Sequence, residues 1–315
     1  MPTLSVGLPV YNGARYVRQA IESILAQTLR DLELVIVDNC STDDTREICE
    51  HYVARDNRVI YHRNERNLGL APNFNRAFSL TRSGYFKWAS YDDVLAPEFC
   101  SRCIDVLDRD RDAVLVYSRA IEIDASGDQV RFYDPQPSLV DCDRVQRFGR
   151  LITQPDGRGI QAMGVARRGD LIRAGLHGRF PCADEVLVAH LALLGRVHAI
   201  DEPLYFYRYH ENQSTKKRLA SERARVLVFD ASRRGEAAKI KLEYMAACLG
   251  AIGSTNLSPS ERLRCYGWLG RWVVRQDVRR SIAKDLMLAM HERIPVLGSI
   301  HRRVIEEAEA SHHYQ

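Results

Sequence analysis

No stretch of this sequence is long and apolar enough to cross a bilayer; the longest candidates, Leu34–Val37 and Val186–Leu194, are short or interrupted. Met1 to Asn12 lacks the order of a basic region followed by an apolar one, so no secretory leader is expected. Neither GxGxxG nor GxxxxGK[ST] follows the first apolar run, which argues against dinucleotide-dependent redox chemistry and P-loop phosphoryl transfer. Lysine is scarce, 6 against 39 arginines, but the arginine excess runs along the whole chain and reads as composition, not phosphate recognition. Cys100 and Cys103 form a lone CxxC with no second pair or His at zinc spacing, so two small residues on a helix are the favoured reading. Eight cysteines without an export signal fit reduced thiols in a cytosol. Internal repeats and low-complexity segments are missing as well.

What remains is ordinary for a globular protein: 315 residues, 45% hydrophobic and 27% charged, enough for one large domain or two unequal ones. The net charge of +4 is too small to argue for nucleic acid as a partner. It is unevenly divided. Residues 1–215 carry 26 basic and 30 acidic side chains, a balance of −4, and residues 216–315 carry 19 and 11, a balance of +8. This change near residue 215 is the first boundary signal.

The first 120 residues alternate strand and helix patterns. Apolar runs at Leu4–Val10, Leu32–Val37, Arg58–His62, Tyr85–Ala89 and Ala113–Tyr117 read as strands. Between them, helical spacing appears over Val17–Leu25, from a Ser41 or Thr42 cap to Tyr52, over Ala71–Leu80, and over Pro97–Leu107. Such alternation builds a mainly parallel sheet flanked by helices, with ligands bound beyond the carboxyl ends of its strands. Asn12, Asp38 and Asp92–Asp93 all follow predicted strands and should crowd that one edge. Residues 121–180 are mixed. Helical spacing returns over Ala183–Leu194, an extended pattern over Val197–Tyr209, and helices over Glu222–Phe229, Glu236–Leu249, Ser260–Val274 and Asp277–Met290.

Two adjacent carboxylates after a strand repel each other unless something neutralises them. A divalent cation bridging Asp92 and Asp93 to a diphosphate would do so, since Mg2+ and Mn2+ take hard oxygen ligands; a pair capping the following helix is the other reading. Asp38 can accept hydrogen bonds from a base or ribose, or serve as a turn acid. Asn67-Leu-Gly69 allows close backbone approach to a ligand, and is also a turn signal.

Together, Pro9-Val-Tyr-Asn12, Val37-Asp-Asn-Cys-Ser-Thr-Asp43, Asn67-Leu-Gly69 with Asn75, and Trp88-Ala-Ser-Tyr-Asp-Asp93 with Pro97 resemble family 2 glycosyltransferases. These are inverting, nucleotide-sugar-dependent enzymes of the GT-A fold. The resemblance covers about residues 3–120, with a weaker match to about 215. It implies a GT-A nucleotide-sugar-binding and catalytic domain over 1–215 and a basic, helical region over 216–315. Pro9, Tyr11, Asn12 and Asp38 would hold the nucleoside, with Asn67, Gly69 and Asn75 on its other side. Asp92 matches the second acid of the family's Asp-x-Asp metal motif, and Ser90 stands where the first acid belongs. Phe74 stands where a basic residue is frequent. Ala183-Asp-Glu resembles the Glu-Asp motif of the general base, which selects Asp184 by spacing and Glu185 if the register slips by one. Arg208-Tyr-His210 resembles a segment closing over the diphosphate, with Arg208 on phosphate and His210 joining Asp92 and Asp93 on the metal.

The expected activity is metal-assisted transfer of one sugar, with inversion, to a hydroxyl of a glycan or lipid-linked saccharide. The donor would be a UDP-sugar first, with GDP- or dTDP-sugars open, and the metal Mn2+ or Mg2+. Trp268 and Trp272 stand four apart, as do Arg271, Arg275 and Arg279, so one helix would carry an aromatic stripe beside a basic one. That suits either packing on the catalytic domain or contact with an anionic membrane, which gives a cytoplasmic protein with a peripheral position at the inner membrane face as the variant. An oligomer is left open. The rival readings are a sugar nucleotidyltransferase, which should show a Gly-rich basic first loop where Leu8-Pro-Val-Tyr-Asn12 offers none, and a non-catalytic nucleotide-sugar-binding module.

Overall fold

A computed structural model describes residues 1–133, 139–154, 159–210, 222–234 and 236–293. The predicted boundary at 215, and residues 216–221 and 294–315 of the basic region, lie outside the described residues. The chain opens as expected, with β1 (Leu4–Val10), α1 (Val17–Leu25), β2 (Leu32–Asp38), α2 (Thr45–Val53), β3 (Val59–Arg63), α3 (Leu70–Ser79) and β4 (Tyr85–Trp88). Helix α2 starts later than Ser41 or Thr42 would have it. Its N-cap is Asp44, because Ser41 and Thr42 are drawn into the loop after β1: Ser41 Oγ accepts from the Asn12 amide at 2.9 Å, and the Thr42 amide donates to Asn12 Oδ1 at 2.8 Å.

After the short β5 (Val94–Leu95) come α4 (Phe99–Arg109) and β6 (Ala113–Ile123), which runs well past the predicted Tyr117. The stretch left unassigned in the sequence holds β7 (Gln129–Tyr133), α5 (Arg144–Thr153), a 3-10 turn at Gln161–Met163, β8 (Val165–Arg167) and α6 (Arg168–Ala174). Then follow α7 (Ala183–Leu194), β9 (Arg196–Arg208), α8 (Glu222–Phe229), a 3-10 turn at Ala231–Arg233, α9 (Ile240–Ser254), α10 (Pro259–Val273) and α11 (Gln276–Arg293).

The strands form one sheet in the order β3-β2-β1-β4-β8-β6-β9-β5, with β7 paired to β6. Strands β1 to β4 are parallel, and so are β6 and β9; β8 is inserted antiparallel between β4 and β6. Leu4, Val6, Leu8 and Val10 alternate onto one face and meet Val17, Ile21 and Ile24 of α1 and Phe99, Cys103 and Leu107 of α4. Cys100 and Cys103 are fully buried there as free thiols, and burial pushes the Cys100 thiol up to about 12, as suits packing residues.

The other face packs Phe86, Trp88, Leu115 and Tyr117 against α5 and α7, and this core continues without a break into Tyr244 and Cys248 of α9 and Leu269 and Trp272 of α10. The tryptophans thus face inward. Trp272 is buried and stacks on Tyr244 with centroids 4.8 Å apart, while Trp268 lies over Gly149 of α5 with the Arg271 guanidinium above its own ring. Arg144 pairs bidentately with Glu261, and Arg264 with Asp143, so α10 is tied to α5 by charge as well as by packing.

A Cβ on Gly149 would stand 2.1 Å from the Trp268 ring. Gly149→Ala should therefore cost about 1–3 kcal/mol in urea unfolding through overpacking. In a Trp268→Ala background the same change should become neutral or stabilising, because alanine is the better helix former. A loss of equal size in both backgrounds would count against this packing.

Candidate active site

The carboxyl edge gathers the residues that the motifs single out. Val10 pairs with Asp38 and Asp38 with Arg63, so the loops after β1, β2 and β3 leave the sheet side by side. Pro9 lies beyond the last β1–β4 pair, Gly7 with Trp88, where a missing amide hydrogen interrupts no ladder bond to β4. Tyr11 is 42% exposed. Asn12 adopts φ 50°, a conformation Asn tolerates, and its hydrogen bonds to Ser41 and Thr42 couple the β1 and β2 loops.

Asp38 is engaged by groups of the protein itself. Its side chain is fully buried, accepting from the Ser41 amide at 2.8 Å and the Tyr61 hydroxyl at 2.7 Å, with Arg63 Nε at 3.4 Å. It is covered by protein, and Arg63 is the half of the pair that reaches outward. Arg63 also lines an open groove of about 540 Å3 with Asn64, Glu65, Arg66, Leu68 and Arg76. Beneath this edge, Asn39, Asn64 and Asn73 interlock: Asn64 Nδ2 donates to Asn39 and to Asn73, and Asn73 Nδ2 donates to Val37 O at 2.9 Å. The motif reading passed over Asn64 and Asn73. An Asn on the apolar face of the α3 pattern was the available signal.

The Asp92–Asp93 pair divides its labour. Asp92 Oδ1 accepts from the Ser90 hydroxyl and Asp92 Oδ2 meets His210 Nε2 at 2.9 Å, all three from predicted positions. Asp93 does not join them. Its carboxylate accepts from the Tyr205 hydroxyl at 2.6 Å and the Arg208 amide at 2.8 Å. Burial foremost, then the Asp92 charge, pushes the Asp93 carboxyl well above its ordinary range. Among the described residues, no three His, Cys, Asp or Glu side chains gather to hold a metal.

Arg208 likewise turns inward. It is 1% exposed, donates to Asp92 O at 2.7 Å, Asp124 O at 3.0 Å and Gln19 Oε1 at 2.6 Å, and lies over the Tyr16 ring. A guanidinium placed this way braces the site from within.

On the far side, Asn67 Oδ1 accepts from Asn39 Nδ2 and from the Gly69 amide, both at 2.9 Å. Gly69, at φ 90°, faces protein: a Cβ there would lie 2.7 Å from Asp230 Cα and 2.8 Å from Ala231 N. The close approach it permits is that of the C-terminal chain. Asn75 is also spent internally, donating to His177 O at 2.8 Å and accepting from the His177 amide at 3.1 Å. His177 is buried edge-on against Phe74 and Trp88, so Phe74 is part of an aromatic wall.

Asp184 and Glu185 open α7, whose first turn favours negative charge. Because β9 runs parallel to β6 from the Arg196–Ala113 pair, the preceding α7 runs back along the sheet, and its N-terminus faces the carboxyl edge. Both acids border a small recess with Leu151, Gly159, Gln161 and Val188. Gly159 adopts φ 68°, and a Cβ on it would stand 2.5 Å from Asp184 Oδ2. Sequence reasoning did not notice Gly159.

The sequence pattern of glycosyl transferase family 2 matches residues 5–164. The chain belongs to that family. An uncharacterized glycosyltransferase of Methanocaldococcus jannaschii is 32% identical over 137 residues, 43% of this chain and 47% of that one. A chondroitin synthase of Escherichia coli is 34% identical over 130 residues, 41% of this chain and 19% of that one. The matched stretch thus spans less than half the length of these relatives. In three dimensions, TarS of S. aureus (residues 1–349, crystallised with UDP-GlcNAc) superposes with a TM-score of 0.63 at 16% identity, over 90% of this chain and 79% of that one. The mannosyltransferase PcManGT of Pyrobaculum calidifontis, in complex with GDP-Man and Mn2+, gives 0.50 at 16% identity, over 95% and 86%. This family 2 chain therefore has a GT-A-like fold with added C-terminal helices.

Burial pushes His177 down to about 4, from an ordinary value near 6.5, and its Nε2 has no hydrogen-bond partner among the described residues. The folded protein keeps this imidazole neutral while the unfolded chain protonates it. Its contribution is therefore complete above about pH 6.5 and is lost as the pH falls toward 4, a difference of roughly 3 kcal/mol. Urea unfolding across that window should show the decline, and His177→Leu should flatten it. An unchanged slope in the variant would remove His177 as its source.

Proposed function

We propose that this chain transfers a single sugar, with inversion, from a nucleoside-diphosphate sugar to a hydroxyl of a saccharide or lipid-linked saccharide. The observation that carries this reading is the meeting of Ser90, Asp92 and His210 at the carboxyl edge of the sheet, where α7 also brings its acidic N-terminus. A nucleotidyltransferase would be expected to carry a Gly-rich basic first loop, where this chain has Leu8-Pro-Val-Tyr-Asn12. A mere binding module offers no reason to keep the α7 acids.

In this reading Asp184 takes the proton from the acceptor hydroxyl, with Glu185 next to it as the second choice. Gly159, at φ 68° and without a side chain, leaves space for the Asp184 carboxylate beside it. The nucleoside is expected against Tyr11, Asn12 and the outward-reaching Arg63, with Asp38 acting through Arg63 and Pro9 shaping the strand end. TarS with UDP-GlcNAc and PcManGT with GDP-Man both support a nucleotide-sugar donor, and a UDP-sugar is the first choice.

The Mn2+ of PcManGT raises the question of a cation. The donors here suit one: a carboxylate oxygen and an imidazole nitrogen, adjacent at 2.9 Å, match the ligand types of Mn2+. Asp92 and His210 would hold it, with diphosphate oxygens and water completing the shell as Mg2+ and Mn2+ allow. Such an ion supplies Lewis-acid stabilisation of the departing diphosphate. Residues 1–215 form the catalytic part, and the basic helices beyond buttress it. Membrane contact through those helices would fall to Leu263 and Tyr266, exposed on α10, and to Val274 at its C-terminal cap, since Trp268 and Trp272 face inward.

Asp184→Asn should abolish transfer, at least about a hundredfold in kcat, while leaving nucleotide-sugar affinity nearly intact. Near-normal turnover in that variant would end the assignment. Asp92→Ala should instead weaken donor binding measured calorimetrically with Mn2+, and chelation with EDTA should do the same to the unaltered chain. Donor affinity indifferent to both would remove the metal from the scheme.

A further inference from the structure

The C-terminal segment that fills the space beside Gly69 touches both halves of the candidate site. On the donor side, the Ala231 amide donates to Leu68 O at 3.2 Å, and the Asp230–Ala231 backbone occupies the space that a side chain at 69 would need. On the other side, Asp230 accepts from Arg179, with Nε at 2.6 Å and a terminal nitrogen at 3.1 Å. Arg179 sits in the turn that leads into α7 and Asp184. Arg233 closes the ring: it donates to Arg179 O at 3.1 Å, and its guanidinium pairs with Glu236 at 2.7 Å and with Glu243 of α9.

We propose that Asp230 is a positioning residue for sugar transfer, holding the Leu68–Gly69 loop and the turn before Asp184 in one fixed relation through Ala231 and Arg179. This rests on the reading of residues 67–69 as the donor side and Asp184 as the base. The chemistry suits the task. The Asp230 side chain is 2% exposed and Arg179's is 60% exposed, so the acid is the fixed point and the arginine the arm. A two-nitrogen contact from a planar guanidinium defines an orientation, which a single charge contact does not. Burial alone would push the Asp230 carboxyl up, but the Ser232 hydroxyl and amide, with Arg179, outweigh it and keep the carboxyl below its usual range. The acid is thus ionised wherever a transferase would be assayed. A partly exposed ion pair contributes little to overall stability. The value of this one lies in placement, because misplacing reacting groups by about 1 Å can cost about a hundredfold in rate.

The test uses the full chain with UDP-GlcNAc and GDP-mannose in Mn2+, reading donor affinity by calorimetry and turnover by release of nucleoside diphosphate. Asp230→Asn and Arg179→Gln should each weaken donor binding and lower kcat together, each by about tenfold. The double variant should be no worse than either single one, and Arg179→Lys should recover part of the loss. Arg179 lies at the surface, so Arg179→Gln provides a folded variant even if Asp230→Asn does not. A lowered unfolding midpoint with unchanged affinity and kcat would reduce the segment to a structural brace and overturn the proposal. If the unaltered chain binds and turns over donor while both variants match it, the proposal fails alone. If the unaltered chain binds no nucleotide sugar, the reading of the site fails with it.

Discussion

The end of β9 is fastened to the Asp92–Asp93 turn, and the rest of the site depends on that fastening. Arg208 gives its amide to the Asp93 carboxylate and its guanidinium to the Asp92 carbonyl, Tyr205 gives its hydroxyl to Asp93, and His210 meets Asp92. Strand β5 pairs with β9 through the same stretch, Val94 with Phe206 and Leu95 with Tyr205. Two buried carboxylates side by side would be unstable without such partners. Here the environment gives the two different partners: Asp93 is held by Tyr205 and Arg208, and Asp92 by Ser90 and His210. Lys87, fully buried below and pushed down to about 8 by desolvation, adds a positive influence on Asp93.

The parts of this arrangement legible in the sequence were those set by local pattern. Buried parallel strands read as apolar runs, and β1 to β4 fell within one or two residues of expectation because both faces of the sheet are covered. The carboxyl-edge rule then brought Asn12, Asp38 and Asp92 together with no knowledge of contacts. What was not legible has a common cause. Asp38, Gly69, Asn75 and Arg208 were given ligand roles on sequence position, yet each is engaged by partners distant in the chain, such as His177 for Asn75 and Asp230 for Gly69. Conformation and charge are visible in a sequence; who occupies the space opposite is not. Strand β8 was illegible for a related reason, being three residues long and held only by its neighbours β4 and β6. Helix α5 was legible and overlooked, since Asp143 and Gln146 form a capping box ahead of an amphipathic run.

The basic region also changes meaning once its packing is known. A division at residue 215 separates two charge balances but no hydrophobic core, because α9 and α10 extend the core that begins at Phe86 and Trp88. The tryptophan stripe that could have met a membrane is used against Tyr244 and α5. Several of the arginines beside it have partners within the chain: Arg264 with Asp143, and Arg275 with Asp277 and Thr153 O. Among the described residues, the inner surface of this region completes the core on one face of the sheet.

Ser90 and Phe74, the two departures from the family pattern, remove charges of opposite sign from the same site. Phe74 replaces a frequent positive charge with an aromatic ring packed on His177, whose imidazole is itself held neutral. Ser90 replaces a frequent negative charge with a hydroxyl that donates to Asp92. One carboxylate and one imidazole are a weak set for a hard divalent ion on their own, since affinity in such sites rises with the number of charged oxygen ligands. If a cation is held as proposed, a diphosphate would have to contribute much of the charge that holds it, and the cation much of the charge that a basic residue at 74 would have supplied. On the proposed reading, metal and nucleotide would be mutually dependent ligands, each supplying to the other what Ser90 and Phe74 leave out.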